Sequence, residues 1–278
     1  MEQKEKQVWF ITGASSGFGK AFAEYAISQG YQVVVTARRT DKLAAIKALA
    51  PNQVEALRMD VTSQQEITAA VEQAIRRFNR VDVLINNAGY GIVGAVEETP
   101  QEELRAEMET NFFGAVAVTK ALIPQLRKQQ SGAIVNISSL GGQLSYPGFG
   151  AYSASKFALE GISEALAGEL GPLGIKVLIV EPGQFRTDLA GAAMKHMPET
   201  DVYKDTAGKI REFARTMGGT QEGDPLKAAA AIDKALKAEK TPLRLQLGKD
   251  AVDAIRQHSE TLLDDLRRWE ALAVDTRL

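Results

Sequence analysis

Two kinds of hydrophobic pattern alternate along the chain. Short, mostly apolar runs, at 8–11 and 31–37 first, are separated by longer stretches with apolar residues at helical spacing. An unbroken run of that length suits a strand buried on both faces; spacings of three and four mark a helix with one buried side. Further strands are expected at 54–59, 81–86, 133–137 and 175–180, and an alternating edge strand at 243–247. Helices are expected after Gly19 as far as Gly30, then at 41–50, 63–78, 101–128, 152–170, 188–197, 203–217, 225–238 and 250–273. Seven strands alternating with helices predict an α/β fold with a single doubly wound, mostly parallel sheet and helices on both faces. Nothing divides residues 1–278 into two domains. A substrate lid at about 184–222 and a helical extension at about 249–278 complete the expected layout.

The first strand runs into Thr12-Gly13-Ala14-Ser15-Ser16-Gly17-Phe18-Gly19, and a helix follows. Strand, glycine loop and helix are the context of a phosphate-binding turn, so a Rossmann-type dinucleotide site is expected. Gly13 permits the turn, Gly17 lets the backbone approach a pyrophosphate, and the first helical N–H groups face the anion. Residues 13–17 also match G-x-S-x-G, the nucleophile elbow of hydrolases. Only fourteen residues precede Ser15, too few for the strands and oxyanion loop which that fold requires.

Where an NAD site usually carries an acidic residue at the end of the second strand, this chain has Ala37-Arg38-Arg39. A guanidinium binds a 2′-phosphate that a carboxylate would repel. NADP(H) is therefore the expected cofactor, read mainly by Arg38 and secondarily by Arg39. Asp60 ends the third strand, either beside an adenine or as a cap of the next helix. Asn86 or Asn87 is placed to tie neighbouring strands through its side-chain amide. Asn111, amid apolar helical residues, needs buried hydrogen-bond partners. Tyr152 and Lys156 are one helical turn apart, so phenol and ammonium share a face, and a nearby cation favours the ionised phenol.

Composition narrows the chemistry. The chain has 278 residues and a net charge of -2, which points to neither nucleic acid nor an anionic membrane. No apolar run is long enough for a membrane span, so the expectation is a soluble cytoplasmic protein. There are no cysteines and only two histidines, His196 and His258, which excludes thiol catalysis and a multi-histidine metal site.

TGASSGFG at 12–19, NNAG at 86–89, Asn111, Ser139, YSASK at 152–156 and PGQFRT at 182–187 together resemble the short-chain dehydrogenase/reductase family, in its classical branch. The likeness covers residues 8 to about 190; the last ninety agree only in general layout. It implies hydride transfer between a nicotinamide and a carbonyl or alcohol. Tyr152 would be the general acid or base, and Lys156 would hold the ribose and lower the Tyr152 pKa. Ser139 would polarise the carbonyl, and Asn111 would hold a relay water. The likeness places Gly13, Ser15, Ser16, Gly17, Phe18 and Gly19 at the phosphates, and Asp60 and Val61 at the adenine. Asn87, Ala88, Gly89, Pro182, Gly183, Phe185 and Thr187 would line the rest of the cofactor. It also implies a homodimer or homotetramer joined through the helices near 101–128 and 152–170. Ser16 stands where some NADPH-binding members carry a basic residue, which leaves NAD(H) as a secondary cofactor. An apolar pocket is expected from Ser145, Tyr146, Phe149, Phe185, Leu189 and Met194. The competing reading is a non-catalytic relative that senses NADP(H).

Overall fold

The computed structural model describes residues 6–187, 189 and 193–276. Its main sheet has the order β3-β2-β1-β4-β6-β7-β9, and every neighbouring pair is parallel. These strands are β1 (Val8–Ile11), β2 (Gln32–Ala37), β3 (Val54–Arg58), β4 (Val83–Asn86), β6 (Gly132–Ile137), β7 (Ile175–Pro182) and β9 (Arg244–Leu247). β1, β4 and nearly all of β6 and β7 are buried throughout, as unbroken apolar runs require; the edge strand β9 is half-buried. Two cores flank the sheet. Trp9, Phe22, Val35, Ile85 and Ile232 share one, while Phe10, Ile67, Leu84, Leu122 and Ile134 share the other. Successive side chains of β1 therefore feed opposite layers.

The helices are α1 (Gly17–Ser28), α2 (Thr40–Leu49), α3 (Gln64–Phe78), α4 (Gln101–Met108), α5 (Ala115–Gln129), α6 (Gly150–Leu170), α7 (Ala207–Thr216), α8 (Pro225–Lys237) and α9 (Lys249–Val274). Ser63 caps α3 by accepting from the Glu66 N–H at 3.4 Å, and Asp224 caps α8 by accepting from the Leu226 N–H at 2.8 Å. Asp60 is not a helix cap: its carboxylate takes the Thr62 N–H and hydroxyl instead. α9 buries only Ala251, and Leu262, Leu266 and Trp269 stand exposed along its outer half. No described helix is long and apolar enough to cross a membrane.

One expectation fails and another is refined. The helical stretch expected at 101–128 is present and includes a π-helical turn, Glu109–Gly114, between α4 and α5. The apolar spacing continues across the extra residue of such a turn, so the pattern hides it. The helix expected at 188–197 is overturned by strand β8 (Met194–His196), which pairs in parallel with β5 (Gly91–Val93) outside the main sheet. Residues 188 and 190–192 lie outside the described residues. Three-residue strands are too short to show a period, and their pairing is set by tertiary contact.

Candidate active site

The order β3-β2-β1-β4-β6 reverses direction between β1 and β4, and such a switch point opens a crevice at the carboxyl ends of the strands. Both loops there come from the glycine and asparagine motifs. Thr12 Oγ1 accepts from the Asn87 and Ala88 N–H groups, each at 2.9 Å. Asn87 Nδ2 donates to the carbonyls of Thr12 at 2.9 Å and Gly13 at 3.2 Å. Gly13 has φ +66°, and a Cβ there would lie 2.8 Å from Ala88 Cα, so backbone passes directly over backbone. Below, Asn86 Nδ2 donates to Asn136 Oδ1 and Thr119 Oγ1, each at 2.8 Å, and Asn136 Nδ2 donates to Ser163 Oγ at 2.7 Å. Of the two asparagines, Asn86 ties β4 to β6, while Asn87 holds the glycine loop.

A cavity of about 1150 Å³ fills this crevice. Gly13, Ser15, Ser16, Gly17 and Phe18 form one end. No side chain caps α1, so its first N–H groups remain available to an anion. Arg38 and Arg39 line the adjoining wall, joined by Lys42, whose place in the first turn of α2 gave no separate signal. Asp60, Val61, Asn87, Ala88 and Gly89 continue the wall, and Pro182, Gly183, Phe185 and Thr187 close the far side. Phe185 packs on Phe18 with ring centroids 5.1 Å apart, so it belongs to the cofactor side rather than to the substrate pocket. These donors and glycines fit an NAD(P) dinucleotide. Gly19 is not in the wall: it is buried behind, where a Cβ would meet the Gly13 carbonyl oxygen at 2.5 Å.

Ser139, Tyr152 and Lys156 converge on the same cavity. Ser139 follows β6 and caps the turn Leu140–Gly142, and its Oγ accepts from the Gly141 N–H at 3.0 Å. Lys156 Nζ donates to the Ile137 carbonyl at 2.9 Å and lies 5.7 Å from the Tyr152 ring centroid. Burial pushes the Tyr152 phenol up to about 12, against a downward pull from Ser139 and with a further upward push from Glu107. Burial also brings Lys156 down to about 8, opposed by Glu107 and Glu160. Desolvation of the phenolate thus outweighs the pull from Ser139.

Asn111 lies behind the cavity wall on the π-helical turn. Its Oδ1 accepts from the Tyr90 N–H at 3.1 Å, while Nδ2 donates to the Tyr90 carbonyl at 2.9 Å and Ser155 Oγ at 3.0 Å. Both amide N–H groups are used in joining these elements, and Oδ1 accepts one bond. Near it, Glu107 is fully buried. Burial raises it to about 8, only partly offset by the Ile92 N–H and the charges of Lys156 and Lys195. Glu107 reads as one more polar residue in α4; only the fold reveals it as an acid inside the wall.

The segment between β7 and α8 crosses the remaining mouth. Leu189, Met194, Ile210, Phe213 and Met217 face Tyr146 and Phe149 there. Ser145, expected among them, is exposed and outside the wall because the turn around it points to solvent. Arg211 of α7 is buried and paired with the buried Glu98, and it donates to the Pro198 carbonyl at 3.0 Å. Glu98 also accepts from the N–H groups of Thr200 at 2.6 Å and Ala95 at 3.0 Å. Burial alone would raise Glu98, but Arg211 and these N–H groups bring it down to about 2.

The sequence profile described as short chain dehydrogenase matches residues 7–198. A 3-ketodihydrosphingosine reductase of Bacteroides thetaiotaomicron is 40% identical over 273 residues, covering 97% of this chain and 98% of its own. The solved structure of a short-chain dehydrogenase from Streptomyces avermitilis is 48% identical, with a TM-score of 0.94 and 100% of both chains covered. A short chain dehydrogenase from Burkholderia cenocepacia, solved in complex with NADP, is 25% identical with a TM-score of 0.75, covering 95% of this chain and 97% of that one. The motifs, the parallel sheet order and the profile match agree: this chain belongs to the short-chain dehydrogenase family of oxidoreductases.

Proposed function

We propose that the protein is an NADP(H)-preferring reductase of apolar ketones or aldehydes, running in reverse on the corresponding alcohols. The carrying observation is one cavity with three cations, Arg38, Arg39 and Lys42, at one end and Ser139, Tyr152 and Lys156 at the other. The cations suit a 2′-phosphate, which three positive side chains would hold far better than a ribose hydroxyl. The bound nicotinamide supplies the hydride to the carbonyl carbon.

The residues do the rest. A phenol held near 12 is fully protonated at neutral pH, so Tyr152 is ready to give its proton to the carbonyl oxygen. The Ser139 hydroxyl, oriented by the Gly141 N–H, donates to the same oxygen and stabilises the charge that develops there. Lys156, anchored on Ile137, has two further N–H groups for the ribose side, and its value near 8 suits return of a proton to Tyr152. Asn111 acts from behind the wall as a positioning residue, holding the Tyr90 backbone against α6.

Tyr146, Phe149, Met194, Ile210, Phe213 and Met217 give the substrate end an apolar lining, and the segment at 184–222 acts as its lid. The relative named as a 3-keto reductase supports a ketone. Assembly through α4, α5 and α6 is part of the same proposal; Phe113 and Phe157 stand exposed there. The test is a panel of apolar ketones, aldehydes and alcohols followed through NADPH absorbance. Turnover of apolar carbonyls with NADPH is expected; absence of any turnover with either nicotinamide would refute the reading.

A further inference from the structure

Outside the cavity, the strongest unexplained feature is a buried ring of polar groups behind the Ser139 turn. Glu181, at the end of β7, is fully buried, and Glu160, one turn beyond Lys156 in α6, is nearly so. Gln143 Nε2 donates to Glu160 Oε2 at 2.9 Å and Glu181 Oε1 at 3.0 Å. Arg244 Nε bridges the same two oxygens from β9, at 2.9 Å and 3.2 Å. Two carboxylates are thus pinned together by one amide and one guanidinium. Glu164 takes Arg244 Nη2 at 2.6 Å, and Gln246 donates to Glu181 Oε2. One cation faces two buried acids and a third at the rim, so the ring with both acids ionised carries an uncompensated buried charge. That state is costly, and adjacent carboxylates relieve it by sharing a proton.

The ring touches catalytic machinery on every side. Gln143 closes the turn Leu140–Gly142, which begins at Ser139. Gly142 sits on the acids: a Cβ there would lie 2.8 Å from Glu160 Oε1 and closer still to Ser138 Oγ. Glu181 immediately precedes Pro182 and Gly183 of the cofactor wall. Lys156 is the next cation, held on the Ile137 carbonyl, and Asp250 of the neighbouring α9 is engaged by the Gln184 N–H at 2.7 Å.

We propose that Gln143, Glu160 and Glu181 form a proton-sharing clamp that positions the Ser139 turn against the Tyr152 helix. They are positioning residues, and the proposal rests on the carbonyl role of Ser139 given above. With one proton in the ring, the clamp is closed. With none, the two acids repel, Gln143 loses its seat, and the Ser139 hydroxyl drifts from the carbonyl site. Burial followed by the Glu160 charge raises Glu181 to about 7. A carboxyl so raised takes up a proton on folding, so its contribution to stability falls as pH rises from about 4.5 to 7 and is level above.

The test uses the full-length protein and two variants. Glu181→Gln mimics the protonated acid. Its melting temperature should fall less than that of the wild type between pH 5 and 7, and its kcat/KM profile should lack a step near pH 7 that the wild type carries. Gln143→Leu, at fixed pH, should speed amide exchange at residues 139–143 and lower kcat about tenfold with NADPH affinity unchanged, since small misplacements of reacting groups cost that much or more. Melting and exchange need no substrate, so they judge the clamp even if the reductase reading fails. Equal melting slopes in wild type and Glu181→Gln, or unchanged exchange in Gln143→Leu, would overturn the proposal.

Discussion

Replacing Arg211 with Met tests how the lid is held. Arg211 and Glu98 expose only 2% of their side chains each, so the pair is out of water. Met keeps much of the arginine stem's volume but removes the charge. Glu98 would then be a buried carboxylate with backbone donors from Thr200 and Ala95 but no counter-ion. Breaking one side of a buried pair costs about 3–5 kcal/mol. At roughly 2–3 °C per kcal/mol for a chain of this size, the melting temperature should drop by about 6–15 °C. The double variant Glu98→Gln with Arg211→Met removes both charges and should recover most of that loss. Because Arg211 sits in α7 beside Ile210 and Phe213, the single variant should also raise KM for the carbonyl while leaving NADPH affinity intact. Differential scanning calorimetry and fluorescence titration measure both effects. A loss below about 2 °C, or a double variant no better than the single, would show that the pair does not anchor the lid.

Other consequences follow from the same geometry. Arg38→Asp should weaken NADPH binding at least tenfold more than NADH binding, because a carboxylate repels a 2′-phosphate and accepts from a ribose hydroxyl; equal losses in a fluorescence titration would contradict the cofactor assignment. Glu107→Gln should flatten the melting temperature between pH 5 and 8. The wild-type acid, raised to about 8, binds a proton on folding, so stability falls with pH until about 8. Identical slopes for the two proteins would exclude a protonated Glu107. Asn87→Ala removes both side-chain bonds to the glycine loop and should weaken either nicotinamide cofactor about tenfold, measured by isothermal titration.

Most of the sheet was legible because strands covered on both faces are written as apolar runs, as at 8–11 and 177–180. The glycine loop was legible because close backbone approach leaves few residues to choose from, as Gly13 against Ala88 demonstrates. What escaped depends on tertiary contact. The β5–β8 pair is held by strands of three residues, and the π-helical turn at Asn111 shifts register without breaking the apolar spacing. Glu107 and Gln143 look like surface polar residues until the chain folds around them, and exposed Lys42 joins the cavity wall only through the fold. The adjacency of Tyr152 to Lys156 is visible in a spacing of four, but the desolvation that dominates the phenol's pKa is not.

The central claim is that Tyr152 delivers the proton. Tyr152→Phe keeps the ring that faces Phe149 and Lys156 and removes only the hydroxyl. In a single-turnover experiment with NADPH and an apolar ketone turned over by the wild type, the account predicts cofactor binding within twofold of wild type and NADPH oxidation slowed by about 10²–10⁴-fold, the usual contribution of a positioned acid. Wild-type oxidation rates in Tyr152→Phe would contradict it.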